Sequence, residues 1–334
     1  MKNMNFSSYL LSVAAAAGAL AGCGGSRWQA PGAPALPARV APGAKSQSAS
    51  GNLLYIAHGR VFNHRRHMVI SILTYPGGVR VAGIRDIDAR GMCSDPAGNV
   101  WVTAYVTGTF ELFEYAHGGT TPIATIAMPK HSFAGGCAVD PASGDLAVAN
   151  LTSGGDPYGG RIYVWSGARP GKPAAYKTPL VPEYLTYDDQ GNIFAAGYFG
   201  GSDLWLVLGE LPKGAQRVED IKLDKRTGTP GSIQWDGTRV AVGTGAFGLP
   251  GPPRIYRVRV SGTNGRVTGE TVPRDPRMYY QPIFSLIGGS VVSTAGSAGD
   301  RVEVWPYPSG GKRTQYIGFF ERIQGMTISS GHTP

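Results

Sequence analysis

Eleven polar or aromatic residues stand beside the ends of short apolar runs, where side chains can meet a ligand. They carry imidazole, guanidinium, hydroxyl, amide, carboxyl and aromatic groups. This mixture suits a neutral or mildly acidic ligand such as a sugar. The same residues could instead simply solvate the mouth of a channel through the middle of the fold. They are His58, Arg90, Tyr105, His131, Asn150, Glu183, Tyr198, Thr229, Phe247, Gln281 and Gln324.

A second candidate site is the basic stretch at residues 59–67, which reads Gly-Arg-Val-Phe-Asn-His-Arg-Arg-His. Guanidinium and imidazolium groups around one aromatic ring could bind a phosphate, a carboxylate or an acidic glycan. The alternative is a basic loop that water solvates and nothing binds. The cationic residues are Arg60, His64, Arg65, Arg66 and His67.

The motifs of several enzyme classes are missing from the chain. No nucleophile elbow surrounds a serine, and the glycine-rich runs join strands to strands, whereas a phosphate loop opens a helix. Glu183 and Asn150 offer oxygen ligands, but a hard cation usually needs further carboxylates, and no aspartate accompanies them at the channel. The sequence therefore predicts no catalytic residue, no metal site and no cofactor.

A repeated unit must position the candidate residues. Residues 135–149 read as an apolar strand, a tight turn and a second strand, and versions recur around the turn glycines 51, 98, 144, 191, 237 and 289. Glycine suits the positive φ of such hairpin turns, and neighbouring Asp or Asn residues tolerate the same region. A third apolar run follows each turn, as at residues 204–207, and a more polar fourth run follows it, as at 217–221. Charge on that outermost run should discourage pairing with another molecule.

Four strands in each repeat of 46 to 52 residues predict an all-β fold, a β-propeller. Five inner strands precede turn glycines, but the turn at Gly51 has no strand before it. Residues 325–329 resemble residues 91–95 and supply that strand from the far end of the chain. The sequence thus predicts six blades, with the C-terminal strand completing the first blade and removing the open edges of the array.

Residues 91–102, Gly-Met-Cys-Ser-Asp-Pro-Ala-Gly-Asn-Val-Trp-Val, and their copies resemble NHL or YVTN propeller repeats. The resemblance spans nearly all of residues 51–330. It implies the fold but not one function, because such propellers include binding modules, lactonases and lyases. A gluconolactonase-like member would hold a divalent metal at the channel through Glu, Asn and Asp. A virginiamycin-lyase-like member would use a basic histidine with Mg²⁺, a role open to His58 or His131.

The chain begins with the features of a bacterial lipoprotein. Residues 1–22 form a short basic start and an alanine-rich apolar run that is too short for a permanent membrane helix. Leu20-Ala21-Gly22-Cys23 matches a lipobox, which predicts acylation of Cys23 and anchoring of the mature chain to a membrane. Residues 23–50 are rich in Pro, Ala, Gly and Ser and predict a disordered tether, so the propeller takes residues 51–334.

Charge and cysteine content bound the partners. The net charge is +9, and removal of residues 1–22 leaves 30 basic against 22 acidic residues. In a cell envelope this excess favours anionic head groups or acidic glycans over nucleic acid, unless it is scattered without a partner. Cys93 and Cys137 fall one position out of step in consecutive repeats, and successive strand residues face opposite ways. The sequence therefore favours two buried thiols over a disulfide.

Two functions remain from the sequence. The first is a monomeric, envelope-anchored, non-catalytic binding or scaffolding propeller that recognises a glycan or an envelope protein. The second is a channel-centred enzyme acting on a small cyclic ester or a saccharide.

Overall fold

Short antiparallel strands make up most of the described chain. The computed structural model describes residues 51–62, 65–151, 160–199, 204–245, 252–274, 282–296 and 299–331, with backbone alone at 60–62 and 65–67. All of them belong to one unit, Ser46–Pro334. These ranges contain no α-helix, and their single 3₁₀ turn lies at Ser166–Ala168.

The strands follow one another in chain order. They are β1 (Leu53–Phe62), β2 (Arg65–Thr74), β3 (Arg80–Arg85), β4 (Asp88–Ser94), β5 (Val100–Val106), β6 (Thr109–Tyr115), β7 (Pro122–Ala127), β8 (Ala134–Val139), β9 (Leu146–Asn150), β10 (Arg161–Trp165), β11 (Ala174–Lys177), β12 (Val181–Tyr187), β13 (Ile193–Tyr198), β14 (Val207–Leu211), β15 (Glu219–Leu223), β16 (Thr229–Trp235), β17 (Val240–Gly245), β18 (Arg254–Ser261), β19 (Asn264–Thr271), β20 (Phe284–Ile287), β21 (Ser290–Ala295), β22 (Arg301–Pro306), β23 (Gln315–Phe319) and β24 (Glu321–Ser329).

These strands form four four-stranded sheets and one eight-stranded sheet in a propeller-like arrangement. The small sheets have the orders β24-β1-β2-β3, β4-β5-β6-β7, β8-β9-β10-β11 and β20-β21-β22-β23. The large sheet joins β12-β13-β14-β15 to β16-β17-β18-β19, and its two halves meet where β15 pairs in parallel with β19. The prediction of an all-β propeller is confirmed at this level of description.

The outermost strands of two consecutive repeats, β15 and β19, pair with each other within the chain. Lys222 and Leu223 pair with Asn264 and Gly265. Gly265 permits this approach, because a Cβ atom there would lie 2.8 Å from a methyl carbon of Ile221. That charge on the run at residues 217–221 discourages pairing with another molecule stays a prediction.

The turns between the first two strands of each sheet follow the predicted repeat. Gly98, Gly144, Gly191 and Gly237 have φ of 84°, 74°, 83° and 90°, in the left-handed region that favours glycine. Gly51 has no such φ, because the strands it lies between, β24 and β1, are the two ends of the fold and need no turn. The third strand of the fourth repeat lies later in the chain than predicted. The run at residues 204–207 was expected to form it, but β14 begins at Val207, where that run ends.

The two ends of the described chain close the first sheet as predicted. Leu53, Leu54, Tyr55 and Ile56 pair antiparallel with Ser329, Ile328, Thr327 and Met326. Further hydrogen bonds hold β24 against the second sheet. The Oγ of Ser94 donates to the Ile328 carbonyl oxygen at 2.8 Å, and the Ser329 Oγ donates to the Gly98 carbonyl oxygen. β24 is thus fixed on both sides.

The hydrophobic core lies between the faces of successive sheets. Tyr55 of β1 packs with Val102 of β5, and Trp101 of β5 packs with Val148 of β9. Leu54 of β1 shares another cluster with Val304 of β22, so the sheets nearest the two chain ends also share a core. Adjacent residues of one strand therefore enter different clusters, which the alternation of strand side chains requires.

This stacking corrects the prediction for the cysteines. Met92 packs in the cluster toward β1, whereas Cys93 packs in the cluster toward β8, where it forms a disulfide with Cys137. The two Cα atoms are 5.6 Å apart, within the usual range for a disulfide. Because the two cysteine side chains were expected to face opposite ways, the sequence favoured free thiols. Between stacked sheets, opposite orientation is what a disulfide requires, because the forward face of one sheet meets the backward face of the next.

Candidate ligand-binding site

Bulges near the starts of the inner strands leave several residues out of the strand pairing. On β4 the ladder with β5 skips Arg90, and on β12 the ladder with β13 skips Glu183. On β24 the residues 322–324 lie opposite the single residue His58. A bulge leaves its extra residue unpaired and changes the direction of the side chain, and bulges are frequent beside binding sites.

The bulged residues line a cavity of about 260 Å³, here named the mouth cavity. Its walls come from the starts of inner strands and from the segments just before them. Both polar and apolar groups contribute, as in most small-molecule sites. The lining residues are Arg90, Phe133, Ala134, Gly135, Gly136, Leu151, Glu183, Tyr184, Ile283, Arg322, Ile323 and Gln324.

Glu183 is the only carboxyl side chain among these lining residues. Its Oε2 is buried and has no hydrogen-bond partner in the described ranges. Burial raises the pKa of the Glu183 carboxyl from 4.5 to about 7, because the charged form loses solvation. Burial also raises the pKa of Tyr198, with a smaller contribution from the Glu183 charge, which indicates that the two side chains are neighbours.

Arg90 supplies a donor to the same cavity. One terminal nitrogen donates to Asp88 Oδ2 at 3.0 Å, which offsets much of the guanidinium charge. The Arg90 Nε is buried, and no partner for it occurs in the part of the chain that the structure describes. Arg90 and Glu183 therefore both line the mouth cavity, and each also has one buried side-chain atom without a partner among the described residues.

An aromatic group borders the mouth cavity. The Phe133 ring is 43% exposed and packs against Phe110 with a centroid distance of 5.1 Å. Tyr105 packs on the other side of Phe110 at 5.2 Å. The backbone of Phe133 is held in place, since its N–H donates to Asn150 Oδ1 at 2.7 Å.

A larger cavity of about 380 Å³, here named the central cavity, continues along the inner strands. It shares Arg90, Gly136, Tyr184, Ile283 and Gln324 with the mouth cavity, so the two spaces adjoin. Asp95 and Asp189 lie at its other end. Asp189 accepts a hydrogen bond from Trp235 Nε1 at 2.9 Å.

The structure separates the predicted site residues into three groups. Arg90, Glu183 and Gln324 line the mouth cavity, and Tyr198 adjoins Glu183. Tyr105 and His131 are exposed and line neither cavity. Thr229 is buried and also lies outside both linings, while Gln281 and Phe247 fall outside the described residues.

His58 and Asn150 are buried in the protein interior. His58 is 8% exposed, with Nδ1 2.8 Å from the Gly59 carbonyl oxygen and Nε2 2.9 Å from the Ser71 Oγ. Its ring also meets Phe320 edge-on at 5.1 Å. The carbonyl oxygen can only accept, so Nδ1 carries a proton. Asn150 is fully buried and positions Phe133. Asn150 therefore supports the mouth cavity indirectly, through Phe133.

The basic stretch forms the end of the hairpin between β1 and β2. Arg60 pairs with His67, Val61 with Arg66, and Phe62 with Arg65 along the backbone. The side chains at 60–67 lie outside the described residues, as does His64 altogether. The anion-binding loop therefore stays a prediction.

Sequence reasoning missed Phe133, Tyr184 and Arg322 as lining residues. Tyr184 directly follows Glu183, and the bulge there lets both neighbours line the cavity. Phe133 lies two positions after His131, just before β8. Arg322 has a φ of 47°, which belongs to the irregular segment of β24. No pattern of residue types marks these irregularities in a single sequence.

The described residues contain no group of three or more His, Cys, Asp or Glu side chains that could hold a metal ion. No helix in those ranges is long and apolar enough to cross a membrane.

The chain matches no protein-family model and no curated protein. Among solved structures it is similar to a protein of unknown function from Bacteroides caccae, with a TM-score of 0.59 and 14% identity over 84% of this chain and 99% of that one. It is also similar to a functionally unknown protein from Desulfotomaculum acetoxidans, with a TM-score of 0.50 and 14% identity over 83% and 90% of the two chains. At this identity the similarity shows the fold alone.

Proposed function

We propose that this protein is a non-catalytic binding module that recognises a polar or anionic ligand, a glycan or a partner protein, at the mouth cavity. The observation that carries the proposal is that Glu183, Arg90 and the exposed Phe133 line one space of about 260 Å³. Polar side chains beside apolar surface in one concave space are typical of small-molecule binding sites.

In this proposal the fold is a six-bladed propeller of the NHL or YVTN kind. The eight-stranded sheet then counts as two blades, β12–β15 and β16–β19, that touch at their outer strands. Support comes from the repeat of turn glycines and from the closure of the first sheet by β24.

The protein would work at a bacterial membrane. Acylated Cys23 would anchor the chain, and residues 23–50 would let a monomeric propeller reach its ligand in the envelope. The Cys93–Cys137 disulfide supports this location, because disulfides persist in oxidising compartments. The basic hairpin at 59–67 would add attraction to anionic glycans or head groups.

One observation favours an enzyme as the second candidate. A carboxyl group with a pKa near 7 is suited to general acid–base catalysis, and Glu183 lies at the channel. Hydrolysis of a glycosidic bond usually needs two carboxyl groups, however, and Glu183 is the sole carboxyl side chain in the mouth lining that the structure describes. A binding role does not require a second carboxyl group, so it fits the site better.

Thermal denaturation of the mature protein with a panel of ligands tests the proposal. The panel contains uncharged oligosaccharides, uronate-containing oligosaccharides, heparin and small lactones. A ligand at about 100 times its Kd adds about 2.7 kcal/mol to the free energy of unfolding, a rise of several degrees in Tm. The proposal predicts such a rise with a saccharide that is recovered unchanged. Recovery of a hydrolysed or eliminated product would support the enzyme instead.

A further inference from the structure

The mouth cavity is too small for a long segment of any polymer. Pockets that bury most of a drug-sized molecule measure about 300–1,000 Å³, and this one measures about 260 Å³. A single six-membered ring with its substituents is therefore the largest unit that the cavity can enclose. The rest of a longer ligand would extend past the exposed ring of Phe133.

The polar groups of the cavity call for a ligand that both donates and accepts hydrogen bonds. The Arg90 guanidinium can only donate, and a Glu183 oxygen accepts when ionised and donates when protonated. A hydroxyl group can satisfy either one. Gln324, which also lines the cavity, offers an amide with the same two capacities.

Most of the charges around the cavity are offset or reduced, which favours an uncharged ligand, and Arg322 is the remaining cation in the lining. Asp88 lies 3.0 Å from Arg90, and the raised pKa of Glu183 leaves much of that carboxyl neutral near pH 7. A ligand carboxylate would lie close to Glu183 and Asp88, whereas a ligand cation would lie close to Arg90 and Arg322. Hydroxyl groups avoid both repulsions.

Apolar groups complete the lining. Phe133, Leu151 and Ile283 contribute hydrophobic surface to the same cavity. The C–H face of a pyranose ring is apolar, while its hydroxyl groups project around the edge. Such a ring can lose apolar surface against Phe133 while its edge meets polar side chains.

We propose that the mouth cavity binds one neutral pyranose ring, such as the terminal residue of an uncharged glycan. Adjacent hydroxyl groups of the ring bond Glu183 and Arg90, and its C–H face packs against Phe133. This assignment rests on the proposed binding function and narrows it to uncharged sugars.

Isothermal titration of the mature protein with methyl hexopyranosides and with glucuronate tests the assignment. The variants are Phe133→Ala and Glu183→Ala, and Phe319→Ala on outer strand β23 is the matched control, since Phe319 is 62% exposed and lies outside both cavity linings. Melting curves of each variant establish that it is folded. We expect at least one methyl hexopyranoside to bind, with affinity reduced tenfold or more in both mouth variants and unchanged in Phe319→Ala.

The possible failures are distinguishable. If glucuronate or heparin binds but no neutral pyranoside does, the sugar assignment is wrong and the broader binding function stands. If neutral pyranosides bind equally to Phe133→Ala and Glu183→Ala, the site lies elsewhere and the assignment also fails. If no saccharide and no envelope protein binds the mature chain, the proposed function itself is overturned.

Discussion

The inner strands have a turn end, beside the glycine turns, and a mouth end, beside the mouth cavity. Polar residues have different hydrogen-bond partners at these two ends. At the turn end, Asp188 accepts three hydrogen bonds, from the N–H groups of Gln190 and Asn192 and from Asn192 Nδ2, at 2.8 to 2.9 Å. Asp95 is held by Asn99 in the same manner. At the mouth end, Glu183 and Arg90 each keep one buried polar atom without a partner among the described residues.

The difference shows how one repeat can separate stability from binding. A carboxylate such as Asp188, which accepts three N–H groups of its own turn, has little capacity left for a ligand, and it fixes the hairpin. A bulge interrupts the ladder at the other end and leaves polar groups free of the turn chemistry. The turn end therefore maintains the fold, and the mouth end is where a ligand can gain binding energy.

Removal of residues 321–334 should have the largest effect on stability, because β24 extends from the mouth end to the turn end. The truncation deletes the bulge at 322–324 and uncovers the buried edge of β1. An uncovered edge strand pairs readily with other chains, so we expect unfolding or aggregation. Size-exclusion chromatography and circular dichroism measure it, and a soluble, monomeric, folded truncation would refute the closure by β24.

Loss of the disulfide should have the next largest effect, since it joins two inner strands between the two ends. Its cysteines are 44 residues apart, and the loop-entropy model gives about 4 kcal/mol for such a loop. Denaturant unfolding of Cys93→Ser/Cys137→Ser should show a loss of about 2–4 kcal/mol. Wild type with reductant should match the variant. Identical stability of oxidised wild type and variant would show that the bond does not form.

The turn end should tolerate substitution less well than the mouth end. Asp188→Ala removes three hydrogen bonds to a buried carboxylate, and we expect a loss of about 2–3 kcal/mol. Arg90→Ala breaks a partly exposed ion pair with Asp88 and should cost about 0–1 kcal/mol. Chemical denaturation of both variants measures the difference. Equal losses, or the reverse order, would remove the distinction between the two ends.

Glu183→Gln should give the most pH-dependent change. Because folding raises the pKa of this carboxyl from 4.5 to about 7, the folded state holds the proton more tightly. The native state therefore loses up to about 3 kcal/mol as the pH rises from 4.5 through 7. Glutamine does not titrate, so the variant should melt several degrees above wild type at pH 8.5 and near it at pH 4.5. A difference in Tm that is independent of pH would contradict the assignment.

The sequence predicted those parts of the molecule that depend on local repetition. Asp95-Pro96-Ala97-Gly98 marks its turn because glycine and aspartate have distinct backbone preferences, and the copy at residues 325–329 predicted the partner of β1. Arg90 and Glu183 were located at the mouth because they begin inner strands.

The features that were predicted wrongly or not predicted depend on how sheets meet and on irregularities of single strands. Cys93 and Cys137 bond because the faces of neighbouring sheets oppose each other, which no pattern within a single strand expresses. The pairing of Leu223 with Gly265 joins the outer strands of two repeats. The bulge that lets Tyr184 line the cavity beside Glu183 also leaves no mark in residue type.

A crystal structure of the protein soaked with methyl hexopyranosides tests the central claim most directly. We predict density for one sugar ring in the mouth cavity, with hydroxyl groups within hydrogen-bond distance of Glu183 and Arg90 and a C–H face on Phe133. A ring bound only at the Asp95 and Asp189 end of the central cavity, or an empty mouth at saturating sugar, would contradict the account.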